Sequence, residues 1–514
     1  MKIPYVDFGA TPRPVEHAAP PGRAQTDRPR SAVVVGGGLA GCAAALILAE
    51  RGIAVTVLER EEQLGGRVRA WPDTLPDGQP FQMDRGFHAF FRQYYNLRRF
   101  LRRFDPQLSR LLPLTDYPLL GPGGRQESFS GLPKRPPFNL ISLVRRTPTL
   151  RLKDLVKIPT WPTMEVLSYD RERTYREYDH ITAGDFLDSM KFPAEARQML
   201  FDVFAHSFFN PEEEMSAAEL IKMFHFYFTG NPEGLIFDVL DQPFSTGLWE
   251  PVQHHLEGLG VRFVLGSAVS RVRRTEAGWR VLRQNGRARH DADAVVLATA
   301  VPALQRLVAA SPDLADPGWR SSVENLNVTL PFAVWRLWFD RPARPERAAF
   351  AGTAGLGILD NISVYERFHN ESREWATENG GSVIELHAYA VPEGMDEAAI
   401  RDDLWTHFVA AYPEFRGAEP VAERFRLDRD CAGFAPGSWA QRPGVETPLS
   451  GVALAGDFVR LPIPAALMEA AVTSGILAAN HLLSGWGIGG ETIHSIPMAG
   501  LLSRVAPRLH RKSA

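Results

Sequence analysis

The residues best suited to chemistry form a glycine-rich turn near the start of the chain. Gly36, Gly38 and Gly41 have the spacing G-x-G-x-x-G, directly after a β-branched segment and before an apolar one. The first glycine permits a tight turn, the second lets the backbone approach a pyrophosphate, and the third allows a helix to pack closely on a strand. The N–H groups at the start of the helix, at Leu39 and Ala40, would face the phosphates.

An acidic residue follows at the distance that such a turn requires. Glu59 ends the next apolar segment, eighteen residues after Gly41, and Arg60 follows it. A carboxylate there accepts hydrogen bonds from ribose hydroxyls and repels a 2′-phosphate, so the pattern favours FAD or NAD over NADP.

The same glycine spacing occurs a second time, at residues 485–490. It follows a helix-like segment rather than a strand, and no acidic residue lies at the required distance. We interpret this second match as a flexible loop in a C-terminal tail, residues 486–514.

Length and composition narrow the class of protein. The chain has 514 residues, a net charge of −3, 45% hydrophobic and 23% charged residues, which is typical of a soluble globular protein with two or three domains. The charge gives no attraction toward nucleic acid. Two cysteines, Cys42 and Cys431, cannot form a disulfide framework or a cysteine metal site, so we expect no metal and a reducing cytoplasm. No apolar segment typical of a signal peptide opens the chain.

The elements that must position the turn are distributed along the chain. Residues 33–35 and 54–58 read as buried strands around a helix over residues 39–51, which predicts a β-α-β unit with a parallel pair. Further strands are predicted at 261–265, 294–298 and 452–455, and a helix at 464–483. We therefore predict an α/β, Rossmann-like nucleotide-binding domain assembled from residues 31–98, 241–310 and 441–485. Residues 99–240 and 311–440 would form an inserted substrate-binding and membrane-facing domain, and residues 1–30 a flexible lead.

Two further motifs distinguish FAD from NAD. Gly65, Gly66 and Arg67 follow Glu59 closely, and Gly456-Asp457 precedes the last predicted helix. This combination resembles the FAD-dependent superfamily of amine oxidases and phytoene desaturases. The resemblance implies that the acidic residue of the second motif binds near the phosphate and ribityl part of FAD. It also implies that the following helix directs its N-terminus at the flavin. The further positions assigned to FAD by this resemblance are Arg60, Arg85, Gly86, Val269, Ala466 and Leu467.

A long segment resembles a narrower family. Residues 83–96, MDRGFHAFFRQYYN, are similar to the corresponding stretch of bacterial carotene aromatases of the isorenieratene synthase type. The similarity continues at residues 116–118, 131–133, 208–209, 216–220, 223–225, 234–238 and 466–469, and so covers most of residues 31–485.

This resemblance implies an FAD-dependent β-carotene desaturase/methyltransferase. It would remove four hydrogens from a β-ionone ring and shift one methyl group, giving an aromatic ring of the isorenieratene type. Quinone or oxygen is the implied electron acceptor, since no second convincing dinucleotide motif is present. The sequence leaves open whether the product has the φ or the χ methyl arrangement. A hydrocarbon substrate requires an apolar tunnel, for which aromatic residues are abundant. Candidates are Phe204, Phe208, Phe209, Phe224, Phe226, Tyr227 and Phe228.

Two polar residues of the segment are candidates for a direct chemical role. The resemblance places His88 and Arg92 near the flavin, where either could steer a cationic intermediate or take up a proton. Packing or hydrogen bonding beside the flavin is the alternative interpretation.

A basic and apolar segment predicts contact with a membrane. Residues 134–157 contain seven Lys or Arg and one acidic residue, interleaved with leucine, isoleucine, valine and phenylalanine. Apolar side chains can enter the interface while cations bind anionic lipid, so we expect peripheral association with the inner face of the cell membrane. A solvated basic face is the alternative. Two other functions also remain open: another FAD-dependent polyene desaturase or amine oxidase of this fold, and a non-enzymatic lipid-binding relative.

Overall fold

The structure, a computed structural model, describes residues 13–114, 116–128, 131, 133, 142, 164–197, 209–233, 235–284 and 289–503. The strands of this part of the chain are β1 (Val15–His17), β2 (Ser31–Val35), β3 (Ala54–Leu58), β4 (Ala70–Thr74), β5 (Pro80–Asp84), β6 (Phe90–Phe91), β7 (Leu111–Leu114), β8 (Pro118–Gly121), β9 (Arg125–Ser128), β10 (Phe237–Leu240), β11 (Arg262–Val264), β12 (Val269–Thr275), β13 (Gly278–Arg283), β14 (Arg289–Ala292), β15 (Ala294–Leu297), β16 (Phe332–Phe339), β17 (Phe350–Thr353), β18 (Asn361–Val364), β19 (Ser382–Ala388), β20 (Ala422–Asp428), β21 (Val452–Leu454) and β22 (Ile493–Ser495).

The helices follow the same chain order. They are α1 (Leu39–Glu50), α2 (Tyr95–Leu101), α3 (Arg171–Tyr178), α4 (Ala183–Ser189), α5 (Ala194–Arg197), α6 (Ala217–Phe224), α7 (Glu250–Gly258), α8 (Val301–Ala309), α9 (Pro317–Glu324), α10 (Asn370–Asn379), α11 (Glu397–Ala411) and α12 (Leu467–Gly485), with single π-helical turns at His225–Thr229 and Ser245–Trp249. In the described part of the chain, no helix combines the length and the apolar character needed to cross a membrane.

A five-stranded parallel sheet forms the nucleotide-binding part of the fold. Its strand order is β11-β3-β2-β15-β21, and every neighbouring pair is parallel. All five strands come from the three segments predicted for this part of the fold, and β2, β15 and β21 are almost fully buried. Such continuous Val, Ala and Leu runs are typical of parallel strands covered on both faces.

Helices α1 and α12 cover this sheet at close range. A Cβ atom on Gly475 of α12 would lie 2.2 Å from the carbonyl oxygen of Ala40 in α1, so the two backbones touch where both residues are small. The predicted last helix begins at Leu467, three residues later than predicted, after the proline-containing segment 462–466.

A second, seven-stranded sheet has the order β20-β16-β19-β18-β17-β8-β9. Alternate side chains of its central strands point to opposite faces. Leu337 and Leu386 pack on α11 through Leu404. Phe332 and His387 face a cavity between the two sheets. The two sheets thus belong to separate layers that meet at this cavity.

The two chain ends that we expected to be loose are paired with each other. β1 pairs with β22 in antiparallel register, and the backbone N–H of Arg23 donates to the carbonyl of Gly487 at 3.1 Å. The second glycine-rich match, which we interpreted as a flexible loop, is thus hydrogen-bonded to the segment around Arg23. Its carbonyls at Gly489 and Gly490 accept hydrogen bonds from Arg51, so this turn presents acceptors and not phosphate-binding donors.

Candidate functional site

The cavity between the sheets has a volume of about 840 Å³ and one polar and one apolar end. The polar end lies at the carboxyl ends of β2, β3 and β15, where open parallel sheets bind their ligands. The apolar end is bounded by the seven-stranded sheet. The predicted residues that line the cavity are Gly36, Gly38, Leu39, Ala40, Glu59, Arg60, Gly65, Gly66, Arg67, Arg85, His88, Val269, Gly456, Asp457 and Leu467.

The three glycines of the first turn have different surroundings. Gly36 has φ +109°, and a Cβ atom there would lie 2.4 Å from the carbonyl oxygen of Ala298. A Cβ on Gly41 would lie 2.0 Å from the carbonyl oxygen of Gly36, so Gly41 serves the packing of α1 and is not in the cavity wall. A Cβ on Gly38 would approach no atom closer than 3.8 Å, the carbonyl oxygen of Gly65. Gly38 therefore leaves open space facing a second glycine turn.

Glu59 is held by backbone donors at the end of β3. Its Oε2 accepts the N–H of Gly37 at 2.6 Å and its Oε1 accepts the N–H of Glu61 at 3.0 Å. These bonds orient the carboxylate and leave lone pairs for hydroxyl donors of a ligand. Arg60 is the more exposed neighbour and pairs with Glu61 at 2.7 Å.

The second glycine turn is built against the first. The N–H of Gly65 donates to the carbonyl of Gly37 at 2.9 Å, and the φ of Gly65 is +127°. Arg67 and Asp457, 390 residues apart in the chain, form an ion pair with Nη2 and Oδ1 2.6 Å apart. Burial disfavours the Arg67 cation, but Asp457 outweighs it and raises the pKa of Arg67. Arg67 and Asp457, which were assigned to FAD separately from the sequence, thus form one ion pair with no net charge.

Arg85 and Gly86 lie at the joint between the two layers. Arg85 binds both carboxylate oxygens of Asp430 at 2.8 Å, in the bidentate geometry typical of arginine and carboxylate. Gly86, with φ +95°, lies against His387, since a Cβ would be 2.7 Å from its Nε2. Gly86 and Ala466, which precedes α12, are buried behind the cavity wall. They shape the wall without belonging to it.

The polar end fits a dinucleotide. Gly38 and Gly66 enclose a cradle that side chains would fill, since a Cβ on Gly66 would lie 3.6 Å from the Cα of Gly38. Ser267 Oγ and Thr299 Oγ1 are buried in the cavity wall with no hydrogen-bond partner among the described residues. Buried hydroxyls without partners are rare, so these two atoms indicate a polar ligand. Glu59, the cradle and the start of α12 would hold the ribose, the pyrophosphate and the flavin of FAD, respectively.

Two residues of the cavity wall have strained backbone conformations. Leu467 has φ +49° and Phe209 has φ +60°, and both line the cavity. A side chain in this left-handed region costs on the order of 1 kcal/mol or more, and such residues cluster at functional sites.

The apolar end is an aromatic tunnel. Its aromatic lining residues are Phe87, Phe91, Tyr94, Tyr117, Phe209, Tyr227, Phe237, Phe332, Phe350 and Tyr389. Of our candidates, Phe209 and Tyr227 are in this wall. Phe226 is in the hydrophobic core, where Phe224 and Phe228 stack on each other with ring centroids 4.6 Å apart. Phe204 and Phe208 lie outside the described residues.

The two candidate catalytic residues separate in space. His88 lines the cavity, and its Nδ1 lies 2.7 Å from the carbonyl oxygen of Gly86. Burial lowers the pKa of His88 to about 4, so its imidazole is neutral at pH 7. Arg92 is not in the cavity wall and pairs with Asp238 at 3.5 Å beside a different pocket. His88 precedes β6 and Arg92 lies in the turn that follows it, so the two side chains are not on one continuous extended segment.

Sequence reasoning missed the polar residues that the seven-stranded sheet contributes. His387 and Tyr389 line the cavity, and Glu385 lies behind them. A signal was present: Glu385 and His387 occupy alternate positions of an otherwise apolar strand, which puts both on one face.

Comparisons with known proteins agree with this geometry. Residues 39–483 match the family of flavin-containing amine oxidoreductases. The chain is 47% identical to a carotenoid phi-ring synthase of Streptomyces griseus, over 94% of this chain and 93% of that protein. It is 29% identical to a carotenoid phi-ring synthase of Chlorobaculum tepidum, over 92% of each chain. A solved structure of a putrescine oxidase superposes with a TM-score of 0.67 at 18% identity, over 89% of this chain and 99% of that one, and so shares the fold.

Proposed function

Since the chain belongs to the flavin-containing amine oxidoreductases and is an FAD-dependent enzyme that modifies carotenoid rings, we propose that it aromatises the β-ring of a β-carotene-like substrate. The observation that carries this proposal is the tunnel of ten aromatic side chains that continues from the cofactor cradle. A polyene offers no hydrogen bonds, so shape and apolar contact must recognise it. The full-length similarity to two phi-ring synthases supports a product with the φ arrangement of methyl groups.

The chemistry of the substrate sets what the protein must do. A β-ring carries two methyl groups on one saturated carbon, which prevents aromaticity until one methyl moves to the neighbouring carbon. FAD supplies the hydride acceptor when it is bound, and a quinone or oxygen is the proposed final electron acceptor. The residues of the tunnel hold the ring and exclude water that would capture a ring cation. A basic group must then take up a proton.

Product analysis tests the reaction. Purified, flavin-loaded protein is supplied with β-carotene in lipid vesicles and with a quinone or oxygen, and carotenoids are analysed by mass spectrometry. Each processed ring should lose four hydrogens and retain every carbon. The matched control is the same protein stripped of flavin, which should leave β-carotene unchanged.

Other products would contradict the proposal in distinct ways. Loss of a methyl group or gain of oxygen would rule out the methyl shift. Dehydrogenation of a linear carotene beside unchanged β-carotene would assign the protein to the acyclic polyene desaturases instead.

Peripheral membrane association is part of the proposed function. The substrate is essentially insoluble in water, so the enzyme must take it from a bilayer. The basic and apolar residues of segment 134–157 are the proposed contact, and they lie outside the described residues. The proposed location is the inner face of the cell membrane.

A further inference from the structure

A chain of hydrogen bonds runs from the buried side of β19 to the cavity. His387 Nε2 donates to Glu385 Oε1 at 2.8 Å, since a carboxylate in this position can only accept. The other ring nitrogen, Nδ1, is then an acceptor, 3.2 Å from the Tyr389 hydroxyl. Asn361 Nδ2 donates to the same hydroxyl oxygen at 2.5 Å. This amide donor directs the hydroxyl proton of Tyr389 toward His387.

Two acidic residues and one arginine lie behind His387. Glu385 Oε2 accepts from Arg336 Nε at 2.8 Å, and Arg336 Nη2 also binds Asp84 at 2.9 Å. Burial raises the pKa of Asp84 to about 6, against the lowering by Arg336. Burial would also raise the pKa of Glu385, but Arg336 and His387 outweigh burial and lower it to about 2. Two buried acidic side chains therefore share one guanidinium, and the Glu385 carboxylate lies where it would pair directly with an imidazolium formed at His387.

We propose that Tyr389 and His387 form the proton-accepting relay of ring aromatisation, with Glu385 as the positioning residue. The inference rests on the proposed function. A ring C–H bond of the cationic intermediate breaks, and its electron pair forms a ring double bond. The proton passes to the Tyr389 oxygen while the Tyr389 hydroxyl proton passes to His387 Nδ1. The products are a neutral ring and an imidazolium paired with the Glu385 carboxylate.

His88 is the rival proton acceptor in the same cavity. Its Nδ1 is bonded to a backbone carbonyl, and the described residues place no carboxylate within hydrogen-bond distance of its ring. Burial disfavours an imidazolium at His88, and so do His387 and Arg85, while Glu385 favours it from a distance without a hydrogen bond. An imidazolium at His387 would face Glu385 directly. The geometry therefore favours the second histidine.

Single-turnover measurements separate the relay from hydride removal. Flavin bleaching by β-carotene without an electron acceptor reports the first hydride transfer. One ring needs two hydride removals to become aromatic, so the aromatic product is measured separately, after a quinone or oxygen is added, by chromatography with mass spectrometry. Tyr389→Phe and His387→Gln should bleach at close to the wild-type rate, since the relay acts after hydride removal. Both should form aromatic product about 100-fold more slowly, the lower range for loss of a general base. Ring products that have gained water should accumulate instead.

Matched variants complete the experiment. Tyr175→Phe removes another buried hydroxyl, bonded to Glu219 at 2.7 Å outside the cavity, and should behave as wild type. His387→Gln preserves a donor toward Glu385 and provides a second test should Tyr389→Phe fold poorly. Wild-type rates of aromatic product in both relay variants, equal loss of bleaching and product, or a selective product defect in His88→Gln would each overturn the relay. Absence of bleaching in the wild type would overturn the proposed function and the relay with it.

Discussion

The glycines of the two turns matter because a side chain at these positions would occupy space that is needed either by neighbouring backbone or by a ligand. Gly41 and Gly65 let backbones touch: a Cβ would lie 2.0 Å from Gly36 O in one case and 2.6 Å from Arg69 Cα in the other. Gly38 differs, since a Cβ there meets only open space between the turns. A side chain at Gly38 is therefore compatible with the folded protein and incompatible with a pyrophosphate in the cradle.

At the residue scale, we predict that Gly38→Val folds but purifies without flavin. A loss of only about 1.4 kcal/mol of binding energy lowers affinity tenfold, and a branched side chain in the cradle costs at least this much. The measurement is the ratio of flavin to protein absorbance after gel filtration. Gly258→Val is the matched control, because a Cβ at Gly258 meets nothing within 4 Å and lies in α7, away from the cavity. Full flavin occupancy of Gly38→Val would show that the phosphates bind elsewhere.

Among the elements, the π-helical turn after α6 connects the core to the cavity. It carries Tyr227, whose hydroxyl lies 2.7 Å from that of Tyr94 in the tunnel wall. The same turn holds the C-terminal segment, since His225 Nε2 is 2.8 Å from the carbonyl oxygen of Pro497 and the ring stacks on Tyr169. π-helical turns occur often at functional sites. This turn therefore contributes Tyr227 to the tunnel wall and attaches the C-terminal segment through His225.

At the element scale, we predict that His225 makes this attachment sensitive to acid. Burial lowers the pKa of His225 from 6.5 to about 4, although the Pro497 carbonyl raises it. Between these values the unfolded chain binds the additional proton, so the stability contributed by His225 falls as pH falls. The difference in unfolding free energy between wild type and His225→Gln should change with a slope that approaches about 1.4 kcal/mol per pH unit as the pH falls from 6.5 to 5.

Urea unfolding at several pH values measures this difference. Thr229→Val serves as the control, because it removes the 3.2 Å contact to His225 Nδ1 without removing a titratable group. Its difference from wild type should stay nearly constant with pH. A pH-independent difference for His225→Gln would mean that His225 titrates alike in the folded and unfolded chains.

The whole molecule places a polar cradle and an apolar tunnel in one cavity between two sheets. The cradle belongs to the parallel sheet, and the tunnel wall combines Phe332 and Phe350 of the seven-stranded sheet with Phe91 and Phe237 of the three-stranded sheet β6-β10-β7. A substrate ring in the tunnel can therefore reach the cofactor end of the same cavity without exposure to solvent. The protein must also obtain its water-insoluble substrate from outside this cavity.

At the scale of the whole molecule, we predict binding to anionic vesicles that weakens as salt increases. Each basic residue near an anionic surface contributes on the order of 1 kcal/mol, and salt screens this attraction. Changing Arg145, Arg146 and Arg151 together to Glu should lower co-sedimentation with vesicles at least about tenfold. The control changes the exposed Arg341, Arg344 and Arg416 to Glu, with the same change in charge. If both triple variants bind as tightly as the wild type, segment 134–157 is not the contact.

The sequence by itself determined the glycine-rich turn and its β-α-β unit. Turn, strand and helix preferences act over a few residues, so Gly36, Gly38, Gly41 and Glu59 could be placed from their spacing alone. The strands predicted at 261–265, 294–298 and 452–455 were confirmed to within two residues at each end, because fully buried parallel strands have continuous apolar sequences.

Only the tertiary structure decided which distant residues meet. The pairing of Arg67 with Asp457, the position of Arg92 outside the cavity, and the placement of His387 and Tyr389 in the tunnel depend on how the two sheets pack. In the sequence, the polar side chains of β19 have no visible partners. In the structure, Arg336 and Asp84 of other strands pack against them. Local preferences do not encode such partners, because these contacts form only when segments hundreds of residues apart are buried together.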